Sequence, residues 1–391
     1  MTSLRLVLVT PRYWPLVGET EHFAADLVQG LRELSVTSTV VTARWAGEWP
    51  RAMVLRETPT VRLPQAPLGG WTTYRYLRAL SRWLRAHCQE FDVAYIMNLR
   101  HDSFAAVGTL LKQPVGVVLR VRAGDCRWLE TSLLGGRVRR RAGLADALVA
   151  PTQALQRESL AAGFPPDRIH TIPNGVAVAE EVLPAQRHAA RASLAEINHS
   201  LSAAEYAPIA VAVGPLLEGR NLPELVESWR FVAARWPSAK LWIVGDGSLR
   251  EPLYERIVDH GLHHQVHLPG TFDDLSDILA AADLFVSPAA SLDGGQHLLA
   301  AMAAGLPVIA ARGSESCELI EHRGTGLILP TADRAELAEA IGELLENPRR
   351  AALYGQAGRR RVQCGFSPQQ TCQAHLQLFE RIAAEKRRRF P

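Results

Sequence analysis

The sequence lacks three features that would place it at once in a special class of protein. It has no apolar run approaching the eighteen or so residues of a membrane-spanning helix, and its amino end lacks the charged and then apolar layout of a signal peptide. Its formal net charge of +3 over 391 residues is too small to indicate a nucleic-acid partner. The five cysteines, which are odd in number and show no metal-ligand spacing, are Cys88, Cys126, Cys317, Cys364 and Cys372. We therefore expect a soluble or at most peripheral protein in a reduced, cytoplasmic setting.

The chain has enough length and apolar content for two domains. Single cores stop growing near roughly 250–300 residues, and 47% of this chain is hydrophobic. Buried strands and amphipathic helices alternate through the first half. The expected strands are 4–9, 38–42, 93–97, 115–121, 147–151 and 169–173, and the expected helices are 21–34, 74–88 and 152–162. Repeated alternation of this kind predicts a parallel sheet wrapped by helices.

A second series of strands follows a shift in composition. After Asn174-Gly175 the chain is alanine-rich and helix-prone through Glu205, and new aliphatic strands are then expected at 209–213, 241–244, 266–268, 284–287 and 307–310. We place the domains at residues 1–178 and 179–367. A last helix, 368–391, is expected to pack back on the first domain.

One segment of the second domain reads as a complete βαβ unit. A short strand that ends at Pro288 leads through Gly294-Gly295 into an alanine-rich helix, 296–304, which Gly305 ends before the next buried strand. A glycine loop between a strand and a helix lets backbone amides approach a ligand at the amino end of the helix. The alternative for the two glycines is a plain tight turn.

Six pieces of the chain, in order, resemble the family 4 glycosyltransferases, which transfer sugars from nucleotide sugars with retention. The pieces are 15–18, 172–176, 213–214, 244–247, 282–288 and 301–308. The resemblance spans nearly the whole chain. It implies an α/β GT-B fold, in which the parallel sheets of two Rossmann-like domains face each other across a cleft, with the acceptor on the first domain and the nucleotide sugar on the second.

The resemblance also implies donor-binding positions. A nucleoside diphosphate leaves the sugar with growing negative charge, and without a metal that charge is met by helix amino ends and cations. The implied donor-binding residues are Gly18, Gly214, Arg220, Gly245, Gly294, Gly295 and Gln296. For Arg220, an exposed surface arginine is an equally good interpretation. No metal or other cofactor is expected.

The chain departs from the family at the positions that matter most for catalysis. Leu292 and Ala300 stand where the family keeps two glutamates, one near the transferred sugar and one on the ribose. Asp293 lies one residue after the first of these positions, and an acid shifted by one residue can replace it if the loop changes register. Glu19 follows Gly18 in place of a second glycine, and Pro215 replaces an arginine. We therefore treat the chain as a divergent member of the family.

The remaining catalytic candidates are Arg120 and His297, beside Asp293. Arg120 and Arg122 lie at the end of the strand near which many family members place a histidine, and we expect one of them to contact a phosphate or an acceptor group. The alternative is a pair of exposed arginines on one face of the strand. His101 and His297 are candidates as lone histidines, which are more often structural than catalytic.

Two functions remain open from the sequence. The first is a hexosyltransferase that acts with retention on a glycan, a lipid-linked or a small-molecule acceptor. The second is a catalytically inactive relative that partners an active transferase. The arginine-rich segments 137–141 and 386–389 can rest on an anionic membrane, although solvated helix faces are the commoner explanation.

Overall fold

The computed structural model describes residues 3–16, 18–178, 182–290 and 295–390. Its contacts divide the chain into two compact units, Met1–Asn174 with Pro368–Pro391, and Gly175–Ser367. The change of unit between Asn174 and Gly175 comes four residues before the boundary expected at 178. The fold is α/β, as the alternation of strands and helices predicted.

The first unit contains eight strands and seven helices among its described residues. The strands are Arg5–Val9 (β1), Thr37–Ala43 (β2), Ala52–Leu55 (β3), Thr58–Leu63 (β4), Val93–Ile96 (β5), Gly116–Arg120 (β6), Ala147–Ala150 (β7) and Ile169–Thr171 (β8). The helices are Glu19–Glu33 (α1), Gly70–Ala86 (α2), His101–Leu110 (α3), Asp125–Thr131 (α4), Gly135–Ala142 (α5), Gln153–Ala161 (α6) and, at the end of the chain, Pro368–Arg389, which is called α15 below.

The sheet of the first unit has the order β3-β4-β2-β1-β5-β6-β7-β8. Every pair is parallel except β3 with β4, which are antiparallel. The sequence predicts no strand between residues 45 and 71, but β3 and β4 form a hairpin there, and α2 begins at Gly70, before the helix expected at 74–88. The strands alternate between two apolar clusters, since Val7 and Val9 lie in one and Leu6 and Leu8 in the other.

The terminal helix α15 completes the core of the first unit. Phe379 and Ile382 on α15 lie in the same buried cluster as Leu27 on α1. Gly30 on α1 and Gly116 on β6 leave room for α15, because a Cβ atom on either glycine would meet a side chain of α15. Lys386 on α15 is buried and forms an ion pair with Asp146 at 3.1 Å.

The second unit contains six strands and eight helices among its described residues. The strands are Ile209–Val213 (β9), Lys240–Val244 (β10), Val266–Gly270 (β11), Leu284–Ser287 (β12), Val308–Ala311 (β13) and Gly326–Leu329 (β14). The helices are Pro184–Ile197 (α7), Leu222–Arg235 (α8), Arg250–Asp259 (α9), Ser276–Ala281 (α10), Gln296–Ala303 (α11), Ser314–Leu319 (α12), Arg334–Glu346 (α13) and Pro348–Gly365 (α14).

The sheet of the second unit is parallel throughout and has the order β11-β10-β9-β12-β13-β14. Numbered along this unit, the strands have the order 3-2-1-4-5-6 of a Rossmann sheet. Strands 1 to 3 are added towards one edge of the sheet and strands 4 to 6 towards the other, so the order reverses between the first and fourth strands. In such sheets ligands bind outside the carboxyl ends of the strands, at the point of reversal. That point lies here between β9 and β12, which are followed by the loop 214–221 and by the segment that begins at Pro288.

Candidate functional site

Two glycine loops touch each other at the carboxyl edge of the second sheet. Gly214 follows β9 and Gly245 follows β10, and the Gly214 amide donates a hydrogen bond to the Val244 carbonyl at 3.0 Å. A Cβ atom on Gly245 would collide with the Gly214 carbonyl oxygen, and Gly245 has a φ of 149°. Gly245 is therefore required by contact between the loops, quite apart from any ligand.

Gly214 has a different surrounding. It also has a φ of 149°, but no atom lies within 4 Å of the position that a Cβ would take. The backbone at Gly214 therefore borders open space at the edge of the sheet, where a ligand can approach. Arg220 lies in the same loop, and its amide donates a hydrogen bond to the Leu217 carbonyl at 3.3 Å. The fold thus brings Gly214, Arg220 and Gly245 to one edge.

The amino end of α11 lies at the same edge. Gly295 is the N-cap and adopts the left-handed conformation, with a φ of 70°. Gln296, the first residue of the helix, is buried, and its Oε1 has no hydrogen-bond partner among the described residues. His297 is partly buried. Three of the residues named from the sequence, Leu292, Asp293 and Gly294, lie outside the described residues.

A further loop at this edge escaped the sequence analysis. Gly313 follows β13, and a Cβ atom there would collide with the Ala290 carbonyl, so the loops after β12 and β13 are in contact. Glu315 and Ser316 in the first turn of α12 are buried, and the Ser316 hydroxyl accepts a hydrogen bond from the Gly313 amide at 2.9 Å. The signal was Gly313-Ser314-Glu315-Ser316 directly after a buried strand, a pattern typical of a helix start.

In the first unit, Gly18 is the N-cap of α1, with an extended backbone at a φ of 170°. The first turn of that helix carries Glu19 and Glu21, and Glu21 pairs with Arg12 at 2.9 Å. Carboxylates at a helix amino end already balance the positive end of the helix dipole. The attraction of this helix start for a phosphate is correspondingly reduced.

Arg120, at the end of β6, lies in the interior of the first unit and is only 4% exposed. The alternative of an exposed arginine is therefore wrong for this residue. Its Nη2 donates a hydrogen bond to Asn174 Oδ1 at 2.7 Å, and its guanidinium carbon lies 3.8 Å from the centre of the Phe23 ring. Its Nη1 has no hydrogen-bond partner among the described residues. Arg120 thus holds Asn174, the residue after which the chain passes into the second unit.

His375 on α15 lies beside this arginine and was not found from the sequence. Its Nε2 is 3.2 Å from the Tyr95 hydroxyl oxygen and its Nδ1 is 2.8 Å from the Thr371 carbonyl oxygen. Burial, with a smaller contribution from the nearby Arg120 charge, lowers the pKa of His375 to about 3. Burial also raises the pKa of Tyr95. The cluster Phe23, Tyr95, Arg120, Asn174 and His375 therefore carries one positive charge, on Arg120, and a neutral imidazole.

His101, the other lone histidine, lies at the start of α3 and is half-buried. Its ring meets Trp128 edge-on, with ring centres 4.9 Å apart, and burial lowers its pKa. Nearby, Asp125 on α4 accepts hydrogen bonds from the Leu99 amide at 3.0 Å and from Arg100 Nε at 3.0 Å. These contacts join the loops after β5 and β6, which gives this group a structural role.

Both units are similar to known glycosyltransferases. The model "Glycosyltransferase Family 4" matches residues 20–180, and the model "Glycosyl transferases group 1" matches residues 207–347. In solved structures, sucrose-phosphate synthase from Thermosynechococcus elongatus superposes with a TM-score of 0.80 at 18% identity, covering 98% of this chain and 100% of that one. Anabaena Alr3699/HepE in complex with UDP and glucose gives a TM-score of 0.78 at 17% identity over 96% of this chain and 99% of that one.

The structure and these matches establish the GT-B fold. With one glycosyltransferase model matching each unit, the chain is placed among the GT-B glycosyltransferases.

Curated relatives match over part of their length. The lipopolysaccharide core biosynthesis glycosyltransferase LpsE of Rhizobium meliloti is 28% identical over 172 residues, which are 44% of this chain and 49% of that protein. A GDP-mannose-dependent monoacylated alpha-(1-6)-phosphatidylinositol monomannoside mannosyltransferase of Corynebacterium glutamicum is 32% identical over 169 residues, 41% of this chain and 44% of that protein. The chain thus matches about half the length of these curated relatives.

Proposed function

We propose that the protein is a hexosyltransferase that moves a sugar, with retention, from a nucleoside-diphosphate sugar to a glycan, lipid-linked or small-molecule acceptor. The observation that carries the proposal is the carboxyl edge of the second sheet, where the open backbone at Gly214, the Arg220 loop and the start of α11 come together. Solved GT-B structures with UDP bound and relatives named for lipopolysaccharide core and phosphatidylinositol mannoside synthesis support the substrate class.

We assign the diphosphate to the amino end of α11 and to Arg220. Helix amides that have no intrahelical partner donate to anions, and a guanidinium can grip a phosphate with two hydrogen bonds. Gly294 and Asp293 belong to this assignment by their place in the sequence, with Asp293 as the acid nearest the sugar. His297 and Arg120 stay in it as catalytic candidates; the burial of Arg120 suits the positioning of Asn174 better than contact with substrate.

We further propose that the reaction needs no metal, because these helix amides and Arg220 supply the positive charge that a metal would provide. We place the protein in the cytoplasm, since its five cysteines are all free thiols. None of the described helices is both long and apolar enough to span a bilayer.

The second candidate function is a catalytically inactive GT-B protein that partners an active transferase. Leu292 and Ala300 favour it, because they remove two carboxylates that would hold the donor. Ala300 lies on α11, packed at the edge of an apolar cluster. Helix α11 thus carries an apolar side chain where the resemblance implies a carboxylate.

Titration of the full chain with UDP-, GDP- and ADP-sugars, with nucleotide release as the readout, separates the two functions. We expect binding of one donor class and slow release of its nucleotide in the presence of EDTA as well as in its absence. Binding without release across the panel favours the inactive protein. Absence of both binding and release would overturn the donor site itself.

The double substitution Leu292→Glu with Ala300→Glu tests the alignment of the α11 segment. A hydrogen bond to a charged group is worth about 1.5–3 kcal/mol, so donor affinity should rise by roughly one to two decades. The matched control is Ala304→Glu, one turn further along and past the end of α11, which should leave affinity unchanged. Equal affinity of the double variant and the wild type, with both folded by circular dichroism, would contradict the alignment.

A further inference from the structure

Helix α2 of the first unit carries an exposed stripe of aromatic and basic side chains. The stripe consists of Trp71, Tyr74, Arg75, Arg78, Arg82 and Arg85, all exposed. At 100° per residue these six positions fall within an arc of about 100° on the helix surface. The opposite side of α2 is anchored in the core by Tyr76, Leu80 and Leu84, which are buried.

The arginines of this stripe have no acidic partners. Helix α2 contains no aspartate or glutamate, and none of the four arginines forms an ion pair with a described residue. Four like charges along one helix face repel one another and lower the stability of the isolated protein. Such a face is stabilised when it meets a surface of opposite charge.

The amino end of the stripe is apolar and aromatic. Leu68, just before α2, is 74% exposed, Trp71 is 70% exposed and Tyr74 is 51% exposed. The rings of Trp71 and Tyr74 stack with centres 5.1 Å apart. The helix start is held by its own side chains, because the Gly69 amide donates to the Thr73 hydroxyl at 3.1 Å and the Thr72 hydroxyl donates to the Gly69 carbonyl at 2.7 Å. The exposed rings are therefore presented from a formed helix.

A second helix on the same side of the sheet, α5, also has exposed basic and apolar side chains at or near its start. Helix α5 and α2 both pack against α3 and share one apolar cluster, in which Val138 of α5 lies. Leu133 and Leu134, just before α5, are exposed, and so are Arg137 and Arg140. This side of the first unit thus combines basic side chains with exposed apolar ones.

We propose that the α2 stripe docks the protein on an anionic phospholipid membrane, with α2 lying in the plane of the interface. Arginines then contact the lipid phosphates, and Leu68 and Trp71 enter the boundary between headgroups and acyl chains. The phosphates of a nucleic acid would also pair with the arginine charges, but they would leave Leu68 and Trp71 without an apolar partner. The segment 386–389, by contrast, is partly committed to internal ion pairs, since Lys386 binds Asp146 and Arg387 binds Asp92 at 3.2 Å.

Co-sedimentation of the full chain with vesicles tests the proposal, and it needs neither donor nor turnover. Its failure is therefore distinguishable from failure of the proposed transferase activity. We expect binding to phosphatidylcholine vesicles that contain phosphatidylglycerol, weaker binding as salt is raised, and little binding to phosphatidylcholine alone. Arg78→Gln with Arg82→Gln should weaken the binding by roughly 30-fold, at about fivefold for each arginine near the surface.

The matched control is Arg349→Gln with Arg360→Gln on α14, two exposed arginines whose loss should leave binding unchanged. Trp71→Ser should weaken binding by an amount that persists at high salt, because its contribution is apolar. Circular dichroism spectra should first show that each variant is folded, so that only folded variants are compared in the binding assay. The proposal is overturned if the α2 variant binds like the control, if phosphatidylcholine alone is bound equally well, or if a double-stranded DNA fragment is bound as tightly as the anionic vesicles.

Discussion

At the end of β6 the first unit holds a buried arginine that has no carboxylate partner among the described residues. Arg120 is surrounded by the Phe23 ring, the Tyr95 side chain, Asn174 and the neutral His375. Burying a charge is costly unless hydrogen bonds and polarisable groups surround it. The guanidinium is held here by a ring face and an amide oxygen, which leaves His375 unable to accept a proton without placing two positive charges together.

This arrangement predicts how stability depends on pH. His375 stays neutral in the folded protein down to about pH 3, whereas in the unfolded chain it binds a proton below about pH 6.5. The free energy of unfolding should therefore fall as the pH drops from about 6.5 towards 3, by up to about 1.4 kcal/mol per pH unit from this residue. His375→Gln should remove that contribution, as measured by urea unfolding between pH 5 and 7.

The comparison between variants isolates the histidine. The buried Asp102 and Asp125 have raised pKa values and act in the opposite direction in wild type and variant alike. His199→Gln, at an exposed position, serves as the control and should keep the wild-type slope. If the free energy of unfolding had the same pH dependence in His375→Gln and in the wild type, this imidazole would have to be protonated in the folded state.

Among the elements, the two glycine loops after β9 and β10 behave as one structure. The Leu216 amide donates to the Asp246 carbonyl at 3.0 Å, and the Leu249 amide donates to the Leu216 carbonyl at 2.9 Å. Loop 214–221, which carries Arg220, is thus braced by loop 245–249. A change in the second loop should therefore alter the donor site by moving the first loop.

Gly245→Ala tests this coupling. The added Cβ meets the Gly214 carbonyl and occupies a φ of 149°, so the loops must separate, at a cost of about 1–3 kcal/mol in the free energy of unfolding. Donor affinity should fall as well, because the Gly214 backbone moves. Gly365→Ala at the end of α14, where nothing lies within 4 Å, is the control; it should leave donor affinity unchanged and should not lower the free energy of unfolding, because alanine favours the helix. If the variant loses stability but keeps full donor affinity, Gly214 does not belong to the donor site.

For the whole molecule, the last helix of the chain belongs to the first unit. Helix α15 follows the second unit in sequence and packs on α1 and β6. Phe379 is fully buried there, with its ring centre 5.3 Å from that of Tyr95 on β5. The first unit therefore needs both ends of the chain for a complete core.

Phe379→Ala should destabilise the first unit selectively. Truncation of a buried phenylalanine costs about 3–5 kcal/mol. We expect hydrogen exchange to accelerate at the amides of β1 and β5 and to remain unchanged at those of β9 and β12. Phe231→Ala, at a 57% exposed position in the second unit, is the control. Equal acceleration in both units would mean that they unfold together.

The order of strands and helices was already determined by the amino-acid pattern. Strands 209–213 and 284–287 were predicted with their observed bounds, and the last helix, expected at 368–391, ends at Arg389. These elements could be predicted because aliphatic runs and helical spacing are local properties of the chain. The hairpin of β3 and β4 was missed, since β3 has only four residues and β4 contains Pro59.

Which side chains meet was decided only by the tertiary structure. Arg120, Asn174 and His375 are separated by many residues, and no local pattern indicates that an arginine at the end of a strand turns inward to an amide and a histidine from the last helix. The same holds for Gly313 against Ala290 and for the solvent-facing stripe of α2. Such contacts depend on how the helices cover the sheet, because burial and charge pairing are properties of neighbours in space, whereas strand and helix formation depends mainly on neighbours in sequence.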